Sequence, residues 1–266
     1  MRELFKAIVI LVSIIITIIG SVYAVAPDPT GVENITEVSS SSQNASAYSP
    51  PLVAAEANNI TSLNIVGTSQ TQTWQGYYGN ISGTIILEDA SNWTLYSWVA
   101  LHPQGEIYAA NKSSVTWSQI KCVNYTGVPN GGNDGVNLSV LEDMFGLASN
   151  DEDGVNETFS FNGTVEGGSV NHTGFYVGQY PIAGGSCPAT DTYENDAAAG
   201  TNFQEVLLTD NESIIFTTII ENDQNSSITG VTGFNNRMWD FQILVGDNGH
   251  NGDNAATSYY FFVELE

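Results

Sequence analysis

Thirteen Asn-x-Ser/Thr triplets are spread over this chain. Their acceptors are Asn34, Asn44, Asn59, Asn80, Asn92, Asn111, Asn124, Asn137, Asn156, Asn162, Asn171, Asn211 and Asn225. With 26 asparagines and a Ser plus Thr content of about 18%, chance alone would give roughly five. An acceptor is usable only where its side chain projects into solvent with room for a glycan, as on the surface of an exported protein. Any fold the chain adopts must therefore hold these points outside its core, and covalent N-glycans are the first expected partners. The density speaks to location and coating. It names no reaction.

The first 24 residues have the three parts of a signal peptide. Arg2 and Lys6 precede an apolar run, Ala7 to Ile19, and Val22-Tyr23-Ala24 resembles an A-x-A cleavage site. That run is short against the roughly 20 residues of a bilayer span. The alternative is a segment of residues 7–26 that is kept, as an anchor or as a pilin-type helix cleaved near Lys6-Ala7. Signal cleavage leaves Lys112, Lys121 and Arg237 against 28 Asp plus Glu, a net charge of 3 − 28 = −25. Such a surface repels phosphate backbones, so nucleic acid is excluded as a partner, and anionic membranes are disfavoured for the same reason. Salt screening makes the self-repulsion tolerable outside the cell.

Cys122 and Cys187 are the only cysteines, and an isolated pair in an oxidising exterior predicts one disulfide. Residues 25–58 read as a flexible Ser/Pro/Asn-rich arm, because Ala26-Pro27-Asp28-Pro29, Ser39 to Ser42 and Ser49-Pro50-Pro51 sustain neither helix nor ladder. Ile60, Leu63, Ile65 and Val66 at its end form a strand-sized apolar run, suited to adding to a neighbouring subunit's sheet.

From residue 59 onward the pattern is short apolar runs punctuated by Gly, Asn, Asp and Ser. Thr84–Leu87, Leu95–Val99, Glu106–Ala109 and Ser114–Ile120 read as successive strands. Ile214 to Ile220 lacks alternation, which predicts burial on both faces. Trp239, Phe241, Ile243 and Val245 share one face of a strand, and Tyr259, Phe261, Val263 and Leu265 share one face of another. The Gly/Asn/Asp-rich loop between them predicts that the two pair antiparallel. Asn137 is placed to cap a short helix over Leu138–Phe145, with Gly146 near its stop. The expected fold is therefore all-β, a single large antiparallel β-sandwich over residues 59–266, Ig-like or jelly-roll-like, with one short helical insertion.

The residues offer little chemistry. Asn150-Asp151-Glu152-Asp153-Gly154 gathers hard oxygens beside a glycine, making Asp151 and Asp153 candidate ligands of a structural Ca²⁺, although the register is not that of an EF-hand. Asp247-Asn248 and Asp253-Asn254 repeat the composition. His102, His172 and His250 show no zinc spacing, and no G-x-S-x-G elbow is present. Trp74, Tyr77, Tyr78, Trp93, Trp98 and Trp117 concentrate in one half of the domain, as a core or as a platform for sugars.

Several strings together carry a resemblance: Trp74-Gln75-Gly76-Tyr77, Gly79-Asn80-Ile81-Ser82-Gly83, Gly105-Glu106-Ile107-Tyr108-Ala109, Trp117 to Cys122, and Asn236 to Phe241. They resemble sequon-rich, β-sandwich surface glycoproteins secreted by archaea. The resemblance implies an S-layer-like or filament setting and supplies no catalytic residues. The resulting expectation is a non-enzymatic structural or adhesive glycoprotein at the cell surface, without a cofactor unless calcium is one, partnered by itself or by other surface proteins. A carbohydrate-binding module or glycoside hydrolase, using two of the many carboxylates, is the alternative reading.

Overall fold

The β-branched run that lacks alternation is the centre of the molecule. Ile214 to Thr218 are buried because strands flank them in the sheet and separate apolar cores lie above and below. The computed structural model describes residues 27–40, 52–67, 71–89, 91–100, 103–125, 136–148, 151–160, 164–165, 168–169, 171–194, 202–221, 232–249 and 256–266. The expected signal segment, residues 1–24, lies outside these. Among the described residues no helix is long and apolar enough to cross a membrane.

In chain order the strands are β1 (Thr30–Gly31), β2 (Trp74–Gly79), β3 (Gly83–Glu88), β4 (Thr94–Ala100), β5 (Gly105–Ala110), β6 (Lys121–Cys122), β7 (Thr164–Val165) and β8 (Gly168–Ser169). They continue with β9 (Phe175–Val177), β10 (Tyr180–Ile182), β11 (Ala189–Asp191), β12 (Gln204–Thr209), β13 (Ile214–Ile219), β14 (Phe241–Gly246) and β15 (Tyr260–Leu265). Seven of them make one antiparallel sheet in the order β1-β15-β5-β13-β12-β11, with β6 sharing the outer edge of β12 with β11. Four two-stranded pairs complete the set: β2–β14, β3–β4, β7–β8 and β9–β10. The fold is all-β and antiparallel, a sandwich-like stack in which the seven-stranded sheet is covered on both faces.

Period-two alternation in the central strands feeds two cores at once. Ala109, Leu207, Ile214 and Phe216 point to one side, where they meet Ile243 and Val245 of β14 and the helix Leu138–Met144. Trp74 of β2 closes that side, its ring centroid 5.6 Å from Phe159 and 6.0 Å from Phe145. Tyr108, Val206, Leu208 and Ile215 point the other way, against Phe175, Val177 and Ile182 of the β9–β10 hairpin and against Trp117. Each large apolar side chain so buried contributes about 1.5–3 kcal/mol. That gain on both faces is what a non-alternating strand can collect and an alternating one cannot.

Local chemistry follows the sequence at several points. The Asn137 side chain accepts the Val140 N–H at 3.1 Å and caps the helix, as expected. A second helix, the single turn Val155–Thr158, follows Gly154. The turn between β12 and β13 is held by Asp210, whose carboxylate accepts N–H bonds from Glu212 and Ser213 and a third from Thr116. The Cys122–Cys187 disulfide is formed, with Cα atoms 4.9 Å apart, and ties β6 to the segment that leads into β11.

The structure departs from the sequence reading in three places. Ser114–Ile120 is not a strand: it contains a 3-10 turn, Trp117–Gln119, that drives Trp117 between Tyr108 and Phe262, both ring centroids 5.2 Å away. Burying a tryptophan there outweighs local strand propensity. The strands β14 and β15 do not pair with each other. β14 lies against β2, whereas β15 lies against β5. Thirteen residues separate Gly246 from Tyr260, enough chain length to reach from one layer to the next, so the alternating patterns seal two layers rather than one hairpin. Finally, Thr30–Gly31, within the stretch read as an arm, pairs with Phe262 and Val263 as an edge strand of the main sheet. Ile60, Leu63, Ile65 and Val66 are exposed, and none of them belongs to a strand.

Candidate functional site

Ten of the thirteen sequon asparagines fall on described residues; Asn44, Asn162 and Asn225 lie outside them. Asn34, Asn59, Asn80, Asn92, Asn124, Asn156 and Asn171 are exposed, Asn111, Asn137 and Asn211 are half-buried, and none of the ten is buried. Described asparagines outside sequons are also unburied, so exposure is a condition met and the density of triplets remains the distinguishing fact. At least five acceptors already make side-chain hydrogen bonds. The exposed Asn34 and Asn156 amide nitrogens donate to the nearby Thr36 hydroxyl at 3.3 Å and Glu157 carboxylate at 2.9 Å, and the three half-buried acceptors are engaged as well. Asn137 uses only its oxygen, as a helix cap, whereas the Asn211 amide nitrogen donates to Gln119 at 3.1 Å. Asn111 accepts from Ile214 N–H at 3.1 Å, and its amide nitrogen turns inward to Met144 Sδ at 3.9 Å.

The aromatic concentration separates into two populations. Trp74 and Trp117 belong to the cores. Tyr77 and Tyr78 are partly exposed at the surface of β2, where Tyr78 packs on Phe234 and Trp239 with centroids 4.8 and 4.9 Å away. Trp93 and Trp98 stand exposed on the β3–β4 hairpin.

The carboxylates singled out for calcium bond to the protein's own chain. Asp151 accepts from Ala148 N–H at 2.7 Å, Asp153 accepts from the Thr71 hydroxyl, and the Asp153 carbonyl accepts from the Trp74 indole at 2.8 Å. Asp247 accepts from Thr257 N–H at 3.0 Å. Among the described residues no group of three or more His, Cys, Asp or Glu side chains is placed to hold a metal ion; Asn150, Asp253 and Asn254 lie outside them, as do His102 and His250. His172 is buried with both ring nitrogens bonded, Nδ1 to the Thr173 carbonyl at 2.7 Å and Nε2 from the Cys187 N–H at 3.1 Å. Burial lowers its pKa, so it stands as a neutral structural histidine.

A site that the sequence reading did not single out lies at one end of β5. Glu106 and Glu264 sit directly opposite each other in the β5–β15 ladder, on the face covered by β9–β10. Glu264 holds that hairpin: it accepts the Gly178 N–H at 2.9 Å, in a two-residue turn where Gly178 takes a φ of +56°, and the Tyr108 hydroxyl at 3.0 Å. Glu106 is 4% exposed, and its Oε2 has no hydrogen-bond partner. Burial, then the Glu264 and Glu266 carboxylates, push the Glu106 carboxyl up to about 8. Burial also raises Glu264, against the opposing pull of its Gly178 and Tyr108 bonds. Beside Glu106 opens a cleft of about 420 Å³, lined by Gln104, Thr173, Phe175, Tyr176, Ile220 and Glu221 among others.

Opposed residues on neighbouring strands have Cβ atoms about 5 Å apart, so this pair of glutamates invites comparison with the two carboxyls of a retaining glycosidase. The roles do not follow, however. Glu264 has its oxygens bonded to Gly178 and Tyr108 and does not line the cleft, and Glu221 accepts the Phe203 N–H at 3.1 Å. The arrangement is a neutral acid beside a carboxylate that fastens a hairpin. A signal for it was present in the alternation of β15, where Glu264 falls in phase with Phe262, which packs against the core beneath β9–β10, although Tyr260 in the same phase is exposed. An acid directly next in phase to an apolar residue that packs inward is a candidate buried acid.

No protein-family model matches the chain, and no curated protein or solved structure matches it either.

Proposed function

We propose that this chain is an exported, non-enzymatic cell-surface glycoprotein that serves as a structural or adhesive subunit. The observation that carries the reading is the thirteen-sequon density, together with described acceptors that all stay outside the core. The disulfide and the acidic balance fit an oxidising, salt-screened exterior. Its partners are copies of itself or neighbouring surface proteins. Glycopeptide mass spectrometry and N-terminal sequencing of the native protein test this. Glycans on several of the thirteen acceptors and a start at Val25 support it. An unmodified, full-length protein with free thiols in the cytosol refutes it, while a start near Ala7 replaces signal cleavage with a retained filament helix.

A second reading, a carbohydrate-binding module, draws on one observation: the cleft beside Glu106 presents a buried neutral acid near the exposed Tyr176 ring. Binding on a glycan array that Glu106→Gln abolishes would favour it over the first.

A further inference from the structure

We propose that the β3–β4 hairpin is the surface through which two copies of this chain associate. The hairpin is built of residues that a water-facing element does not use. Ile85, Leu87, Tyr96 and Trp98 line one face, with the Tyr96 and Trp98 rings 4.8 Å apart, while Ile86, Leu95 and Val99 lie toward the other. Leu95 is 82% exposed, Trp93 76% and Val99 69%, although all three are larger and more apolar than strand exteriors require. Neither strand of the pair has a second partner among the described strands. The base, in contrast, is fixed to the body. Ile81 N–H donates to Asp240 at 2.8 Å, and Gly83 meets Leu265 so closely that a Cβ at that position would overlap the leucine side chain. The hairpin is a projecting element on a firm root.

Summed over its two faces, the exposed apolar side chains present on the order of 1,000 Å². The face of Ile85, Leu87, Tyr96 and Trp98 carries about half of it, comparable with the roughly 300–600 Å² of the largest and often functional patch on a typical monomer. Charge selects the occupant. Between Ala57 and Gly105 the only charged residues are Glu88 and Asp89, in a chain whose net charge is −24. Two such acidic bodies approach each other only across a neutral surface, and this stretch supplies one. A bilayer is disfavoured by what stands at the tip, where Glu88 and Asp89 are followed by the exposed sequon Asn92. Hairpin against hairpin, in a two-fold pair, is the self-complementary solution.

The inference names the contact for the surface-subunit reading and rests on it, yet the two fail separately. Light scattering across a micromolar concentration series is compared for the native glycosylated protein and for a Leu95→Lys/Trp98→Glu variant, with glycopeptide mass spectrometry on the same samples. The expected result is a concentration-dependent doubling of mass in the native protein, loss of the dimer in the variant, and an unchanged thermal midpoint at dilutions where the native protein is monomeric, because neither residue belongs to a core. Hydrogen exchange on the native protein alone gives a second measure: amides of β3 and β4 gain protection as concentration rises. A native protein that stays monomeric, or whose hairpin amides do not gain protection, overturns the proposal. So does a variant that still assembles, assembly that is lost only when residues 52–67 are deleted, or hairpin-dependent binding to neutral vesicles. A glycosylated monomer would leave the surface reading standing, and an unglycosylated dimer would leave the hairpin standing.

Discussion

Replacing Glu106 by Gln keeps the shape of the side chain and removes its charge, and the structure sets the pH range over which this matters. The carboxyl has an ordinary value of 4.5 and is pushed up to about 8 in the fold, by burial first and then by Glu264 and Glu266. Between those two values the folded chain holds a proton that the unfolded chain has released. Folding then takes up a proton, so stability falls as pH rises through this window, by at most about 1.4 kcal/mol per pH unit. The full penalty, about 5 kcal/mol, is reached above about pH 9, with about 4 kcal/mol present at pH 8 and about 3 kcal/mol at pH 7. Among the described residues no Lys or Arg acts on it: the shift of Glu106 comes from burial, Glu264 and Glu266. Glu106→Gln removes the ionisation and leaves an amide to satisfy, which costs back about 1 kcal/mol. The variant is therefore expected to melt at least about 5 °C above the parent at pH 7.5 and about 2–4 °C below it near pH 4, where only the cost of the amide remains. Thermal denaturation of both proteins from pH 4 to 9, at one fixed ionic strength, reads the difference directly. The many surface acids add a slope common to both proteins, which the subtraction removes. A difference in midpoint that does not change between pH 4 and 8 would refute the account of Glu106 as a buried neutral acid.

The remaining expectations rest on separate parts of the structure. Reducing Cys122–Cys187, which closes a separation of 65 residues, should lower stability by about 4 kcal/mol in urea unfolding with and without reductant. Asp210 should matter as an anion: burial would raise its pKa, but backbone N–H bonds from Thr116, Ser213 and Glu212 outweigh burial and hold the carboxyl below its usual range. Its contribution is present above the ordinary carboxylate range and lost as pH falls below it, so Asp210→Ala should cost about 2 kcal/mol at pH 7 and less near pH 3. Site-resolved glycopeptide analysis should find Asn59, Asn80 and Asn92 occupied more fully than Asn111, whose amide nitrogen faces Met144 and whose oxygen holds Ile214. Equal occupancy at Asn111 would mean that β5 and β13 separate there before modification.

Much of the fold is legible in the chain because the signals are local. The β-branched run at Ile214–Ile220 announces a strand buried on both faces, and β13 is one, with a core on either side. Asn137 announces a cap and makes the bond. Two cysteines in a chain with a signal-like start announce a disulfide, and the disulfide is present. The readings that failed needed information from distant residues. Ser114–Ile120 has strand composition, yet Trp117 is drawn into the gap between Tyr108 and Phe262, which no window around residue 117 contains. Glu106 resembles any surface acid until the ladder sets it opposite Glu264 beneath the β9–β10 hairpin.

The amino-acid order by itself determines which segments are extended, which turns break them, how acidic the molecule is and where glycans are admissible, because each depends on a residue and its near neighbours. Only the tertiary structure decides which strand lies beside which. β14 and β15 show this: their alternating patterns are equally compatible with pairing to each other, and burial in two different layers separates them. The same step that hides the run in β13 leaves the equally apolar β3–β4 hairpin outside, because one sheet has only two faces and both are already filled.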